Sequence, residues 1–274
     1  MRTRARIVTT IAVAAALVAA PTAAVAGSGD HGSSVKGPRA VGLVGGTSLV
    51  TFSTANPQKV KPTGTISGLQ QDTKIVGIDT RVQDRNVYGV GDRGGVYVLD
   101  AHTARATFVL RLSVPLEGTS FGVDFNPAAN ALRVVSDTGQ NLRQPFATVG
   151  APTVADTPLS TPPTVGTTAG VSAAAYTNND LSDATGTTLF VLNTATDSVA
   201  VQSPANSGTL AATGKLGVDV EKGAVGFDIA GTTGYAVVAV GGSTTVYQVS
   251  LLTGAATKTG QTGTAITDLA LQLS

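Results

Sequence analysis

From Val41 to Leu273 apolar and polar residues alternate in short runs, broken by Gly, Asn, Asp, Ser and Thr. A two-residue period bounded by turn formers predicts β-strands, and no stretch of eleven or more residues holds the 3.6-residue period of an amphipathic helix. The runs also repeat. Ile75-Val-Gly-Ile-Asp79, Ser120-Phe-Gly-Val-Asp124 and Ala224-Val-Gly-Phe-Asp228 share the order Gly, apolar, Asp. A second strand is predicted about ten residues later in each case, at Asn86–Val90, Ala131–Val135 and Gly234–Val238. Third strands leading into Thr-, Ala- and Gly-rich turns fit Ser48–Val60, Gly95–Thr107, Thr187–Ala200 and Thr244–Thr257, and Val171–Asn178 stands where a further first strand is due.

Aligned on the glycine slot, the units begin near 77, 122, 173, 226 and 268, at intervals of 45, 51, 53 and 42 residues. Units of that length with three or four strands each are the signature of β-propeller blades. The chain opens in the middle of a unit, since Val41–Val60 holds only later strands, and it finishes on one strand, Ala265–Leu273. Pairing that strand with the first unit would close a ring and leave no free edge. The expected fold is all-β: one propeller domain over residues 41–274, five-bladed, closed by its C-terminal strand on the N-terminal blade.

The first residues change the compartment. Arg2, Arg4 and Arg6 precede fourteen residues, Ile7 to Ala20, without a charge, and Ala24-Val25-Ala26 follows. These are the three regions of a secretory signal peptide over residues 1–26, cut near Ala26; the apolar run is short of the roughly 20 residues a spanning helix needs. Residues 27–40, Gly/Ser-rich and patternless, are expected to be a disordered linker. The mature protein is thus expected to be secreted and to carry no membrane span. Losing three of 18 basic residues against 17 acidic ones leaves a net charge near −2. No basic excess remains for a nucleic acid. Without cysteine there is no disulfide, so stability must come from a buried core. A monomer is the default expectation.

Several motifs look like chemistry and do not have the required setting. Gly89–Gly94 matches G-x-G-x-x-G, but a strand and not a helix follows, so nothing is there to hold a pyrophosphate. Gly118–Gly122 matches G-x-S-x-G, but a strand follows Ser120 and no histidine lies beyond His102. Two histidines and no cysteine make zinc a poor prospect. Oxygen ligands for calcium do cluster at Asn178, Asp180 and Asp183, without the glycine and distal glutamate of an EF-hand. No other cofactor is expected.

The stretch Ser120–Phe146 is the most polar of the chain. Asn126-Pro127 and Asp137-Thr138-Gly139 are turn formers. Arg133, Gln140, Asn141 and Arg143 exceed what a turn needs and are candidates for a polar ligand site, together with Tyr176, Thr177 and Asn178 of the next unit. Arg133 falls in a strand slot filled elsewhere by Val87 and Tyr235, so a partner such as Asp137 or Asp124 is expected.

The phrases FNPAANALRVVSDTGQNLR, AAYTNN and GFDI, in that order, resemble a secreted bacterial family catalogued as domain of unknown function 4394. The resemblance runs from about Val41 to Leu273 and implies a propeller-like secreted domain; it brings no catalytic residues. Two functional readings remain. One is a non-catalytic module binding an extracellular ligand or protein. The other is a calcium-assisted hydrolase or lyase acting on a glycan or lactone through Asp79, Asp124 and Asp228, if those carboxylates converge in an open pocket.

Overall fold

The structure is a computed structural model that describes residues 37–182, 184–221, 225–240 and 243–273. The proposed signal peptide lies outside them, as does the linker as far as residue 36. Five four-stranded antiparallel sheets form the blades. Blade 1 supplies β1 (Arg39–Val44), β2 (Ser48–Ser53) and β3 (Asn56–Thr65). Blade 2 holds β4 (Ile75–Thr80), β5 (Val87–Gly91), β6 (Gly95–Leu99) and β7 (Ala106–Arg111). In blade 3 are β8 (Phe121–Asn126), β9 (Ala131–Ser136), β10 (Asn141–Pro145) and the two-residue β11 (Val154–Ala155). Blade 4 is β12 (Val171–Tyr176), β13 (Leu189–Asn193), β14 (Ser198–Gln202) and β15 (Leu210–Lys215). Blade 5 is β16 (Val225–Ala230), β17 (Thr233–Val240), β18 (Ser243–Ser250) and β19 (Ala256–Gln261). The last strand, β20 (Ile266–Leu271), pairs with β1 and becomes the innermost strand of blade 1, with Ala40 opposite Leu271 and Leu43 opposite Asp268.

The repeat phrase therefore marks inner strands, and closure is the one expected. The N-terminal boundary differs by two residues. Arg39 and Ala40, assigned from sequence to the linker, belong to β1. Ala40 is fully buried because it faces Phe52 on one side and Leu271 on the other.

Apolar burial follows the ring. Each blade contributes alternating side chains to two clusters, so the core is divided among the blade interfaces. Val41, Leu43, Ile75 and Tyr97 fill the space between blades 1 and 2; Tyr88, Phe125 and Leu132 fill the next. Val135, Leu159 and Val191 lie between blades 3 and 4, Phe190, Phe227 and Tyr247 between 4 and 5, and Tyr235, Phe52 and Leu269 between 5 and 1. Among the described residues no helix is long and apolar enough to cross a membrane.

Two glycines of the repeated phrase allow the inner strands to approach. A Cβ on Gly122 would lie 2.5 Å from the Ala174 nitrogen, and one on Gly226 would lie 2.4 Å from the Asp268 Cα. Backbone cannot yield as a flexible side chain does. Gly122→Ala should therefore lower stability by about 1–3 kcal/mol, the cost typical of overpacking, read as a reduced urea midpoint. An unchanged midpoint would show that the ring has slack at this interface.

Candidate functional site

Four aspartates face inward on four of the five inner strands: Asp79 on β4, Asp124 on β8, Asp228 on β16 and Asp268 on β20. Each accepts a main-chain N–H from the inner strand of the following blade. Phe125 donates to Asp79 at 2.8 Å and Tyr176 to Asp124 at 2.9 Å. Leu271 donates to Asp228 at 2.6 Å and Ile78 to Asp268 at 2.8 Å. An inner strand has no further strand on its tunnel side, so these amides would otherwise lack partners. β12 carries Ala175 at the matching place and cannot make this bond toward β16. There the Asn179 side chain donates to the Ile229 carbonyl at 2.8 Å and ties blade 4 to blade 5.

Asp79, Asp124 and Asp228 converge: one carboxylate oxygen from each lies within 4.8 Å of the others. They are nearly sealed, at 5 %, 3 % and 2 % exposure. Burial pushes the Asp79 carboxyl up to about 6, against the pull of the Phe125 and Thr80 amides. Asp124 is held well above the usual carboxylate range by burial first and then by the charges of Asp79 and Asp228. Asp228 is raised by burial and by Asp79, and Asp268 chiefly by burial. Their hydrogen-bond donors are amides and not cationic side chains. Such a group stays fully ionised only at a high electrostatic cost, which bound protons or a cation relieve. These three are the described residues that could together hold a metal ion.

The other nominated residues are placed as follows. Arg133, 2 % exposed, donates to Asn141 at 2.7 Å, Asp156 at 2.8 Å and Asn206 at 2.7 Å, with the Tyr176 hydroxyl at 3.4 Å. Its ion partner is thus Asp156, just past β11, while Asp124 serves the next inner strand and Asp137 holds Thr119. Asn141 donates to the carbonyls of Thr157 and Ala205. Arg143 also pairs with Asp156. Gln140 bridges the Glu117 amide and the Pro115 carbonyl. The result is a polar seam that joins blade 3 to blade 4, with Arg143 half-buried at its edge. Thr177 accepts from the Thr188 amide, Asn178 donates to the Gly186 carbonyl, and Asp180 accepts from the Ser182 amide. Asp183 lies outside the described residues.

Two clefts open on the face where the inner strands end. One, of 680 Å³, is lined by Arg39, Asn178, Asn179, Asp180 and Gln272 among others. The second, of 590 Å³, is lined by Thr80, Arg85, Asn86, Asp100, His102, Arg105 and again Gln272. At the opposite mouth a 250 Å³ hollow takes residues from every inner strand, including Ser172 and Thr267. The four aspartates line none of these three. Sequence reasoning missed Asp268 and the second cleft. The lone Asp of I-T-D-L does not fit the repeated phrase, and the cleft is assembled from two turns and the C-terminal tail.

A closed ring of five four-stranded antiparallel sheets defines a five-bladed β-propeller. Over residues 48–270 the chain matches the model of the family described as domain of unknown function (DUF4394), and it belongs to that family. No curated protein matches it. Among solved structures, a chain of the nidogen/laminin complex is 12 % identical, with 85 % of each chain covered and a TM-score of 0.49. A protein from Lactobacillus plantarum is 16 % identical over 82 % of this chain and 66 % of that one, with a TM-score of 0.40. PorZ, a surface component of the type-IX secretion system of Porphyromonas gingivalis, is 18 % identical over 82 % of this chain and 27 % of that one, at a TM-score of 0.37.

Two predictions follow from the buried charges. A carboxyl raised from 3.8 to about 6 binds its proton more tightly in the folded state. Its contribution to stability is complete below about pH 4 and is lost as pH rises toward 6. The urea midpoint should accordingly fall across that window, and Asp79→Asn, which keeps an acceptor for Phe125, should flatten the fall; an unaltered slope would refute the assignment. Arg133→Ala removes the hub of the seam, leaves the Asn206 side-chain oxygen without this donor and leaves Asn141 with only the longer bond from Gln202 at 3.2 Å. It should cost about 1–3 kcal/mol, the penalty of leaving buried polar groups unpaired, because Asp156 keeps its pair with Arg143. A loss below about 1 kcal/mol in the same urea titration would mean the seam is dispensable.

Proposed function

We propose that this propeller is an exported, non-catalytic binding module, monomeric, whose extracellular ligand docks on the face carrying the two joined clefts. The observation that carries the reading is a division of labour among polar groups. The convergent carboxylates are enclosed and spent on inner-strand amides. Polar side chains line clefts of 590 and 680 Å³ that share Gln272 and Leu273, and in the smaller one the Arg85 and Arg105 side chains make no bond to a described residue. Asn178 and Asp180, nominated from sequence, line the larger one. Thr177 reaches the surface next to them in the chain and Arg143 reaches it at the edge of the seam, whereas Arg133, Asn141 and Tyr176 support the seam from within. Export rests on the Arg2–Ala26 pattern.

The rival, a calcium-assisted hydrolase or lyase, draws on one specific observation, the convergence of Asp79, Asp124 and Asp228 within 4.8 Å. In that reading calcium sits on the trio, or on Asn178, Asp180 and Asp183. A sugar would need access to the carboxylates, and glycosidase pairs stand roughly 5–9.5 Å apart around an open cleft.

Expression of the full chain in a secreting bacterium tests both. The protein recovered from the medium should begin at Gly27 and co-sediment with cell-wall polysaccharide. It should release no reducing ends, and Asp124→Asn or a chelator should leave sedimentation unchanged. Turnover abolished by Asp124→Asn in a folded variant would establish the rival instead.

A further inference from the structure

We propose that the 590 Å³ cleft at the blade 2 corner is an oxyanion site, which takes the carboxylate or phosphate group of an anionic saccharide. This rests on the binding-module reading and names the ligand class for one of its clefts. Arg85 and Arg105 both line the cleft, and neither guanidinium is bonded to a described residue. Arg39, Arg81, Arg111, Arg133 and Arg143 are each tied to a protein acceptor, while Arg93, whose side chain likewise makes no such bond, lies outside this cleft. Two planar forks without partners, facing one cavity, suit the paired oxygens of a carboxylate or phosphate.

The turns that carry them are closed by main-chain hydrogen bonds. In residues 81–86 the Arg81 amide donates to Asn86 and the Arg85 amide back to Arg81, at 3.0 and 2.8 Å. The same closure recurs in 100–105 and in 250–255. The fifth residue of each turn is left-handed: Arg85 at φ 60°, Ala104 at 56° and Gly254 at 74°. A glycine suits that slot without strain, whereas an arginine there bears a conformational cost. Asp100, the one acid in the lining, is engaged by its own turn through the amides of His102 and Thr103.

Thr80 ends β4 and lines the cleft, but its unpaired hydroxyl is sealed from the solvent side, so the arginines carry the site. Asn86 and His102 add polar groups to the lining.

The test is calorimetric titration of the full chain, at low and high salt, with inorganic phosphate, a galacturonate trimer and a neutral galactose trimer. At least one of the two anions should bind and weaken as salt screens it, while the neutral trimer stays silent; the two anion arms tell a phosphate from a carboxylate ligand. Arg85→Gly places the natural residue of the sister turn in the left-handed slot, so it should keep the melting temperature and lose at least tenfold in affinity. Arg105→Gln should lose a similar factor. No anion binding, or affinity indifferent to both arginine variants, would overturn the site. Binding of the neutral trimer alone would do the same and leave the broader reading standing. Anion binding without retention on cell-wall polysaccharide would sink the broader reading and leave this site in place.

Discussion

The bond between an inner-strand carboxylate and the next blade's amide is what the rest of the ring depends on. Blades are separate sheets, so no ladder of main-chain hydrogen bonds runs from one inner strand to the next. An inner edge is an open row of donors and acceptors, and such an edge buried without partners is costly. Asp79, Asp124, Asp228 and Asp268 supply acceptors at four of the five junctions. The apolar clusters on either side of each junction provide non-directional attraction. The carboxylates add register, because an amide and an oxygen must meet within about 3 Å.

That solution creates its own difficulty. Carboxylates placed for clamping come together at the axis, where each disfavours the ionisation of the others. The fold moderates this in two ways. Blade 4 has Ala175 in place of a carboxylate, and blade 1 moves its aspartate two residues back to Asp268, opposite the glycine slot of its neighbours. Three acids thus share one level of the axis instead of five. The junction that loses its carboxylate is fastened from the end of the tunnel, by Asn179 on the connection that follows β12.

Much of this was legible in the sequence because it repeats. Blade count, the inner-strand role of the Gly-apolar-Asp phrase and closure by the last strand all rest on period and position, which a chain displays without coordinates. What did not repeat was hidden. Arg133 finds Asp156, a residue in an irregular segment, and Asn206 in a different blade, and neither pairing has a spacing to read. The nominated polar residues of Ser120–Phe146 stood out by composition, and composition does not distinguish a ligand site from a seam between blades. Asp268 was masked because its strand shares the role of the others while departing from their phrase. The cleft of Thr80, Arg85 and Arg105 joins residues that are unremarkable in one dimension.

The same contrast bears on where function lies. Residues that carry the repeat are committed to closing the ring, and changing one alters a junction. Turn residues on the end face have no such commitment once their main-chain bonds are made. Arg85 illustrates the difference: its backbone completes a turn that Gly254 completes equally well elsewhere, so the turn does not require an arginine. A side chain that the fold does not need, held in a conformation that favours glycine and lining a cavity beside Arg105, is explained by what enters the cavity. Binding in this family member is therefore best sought at the symmetry-breaking turns and not at the symmetric carboxylates, although the carboxylates are the more conspicuous chemistry.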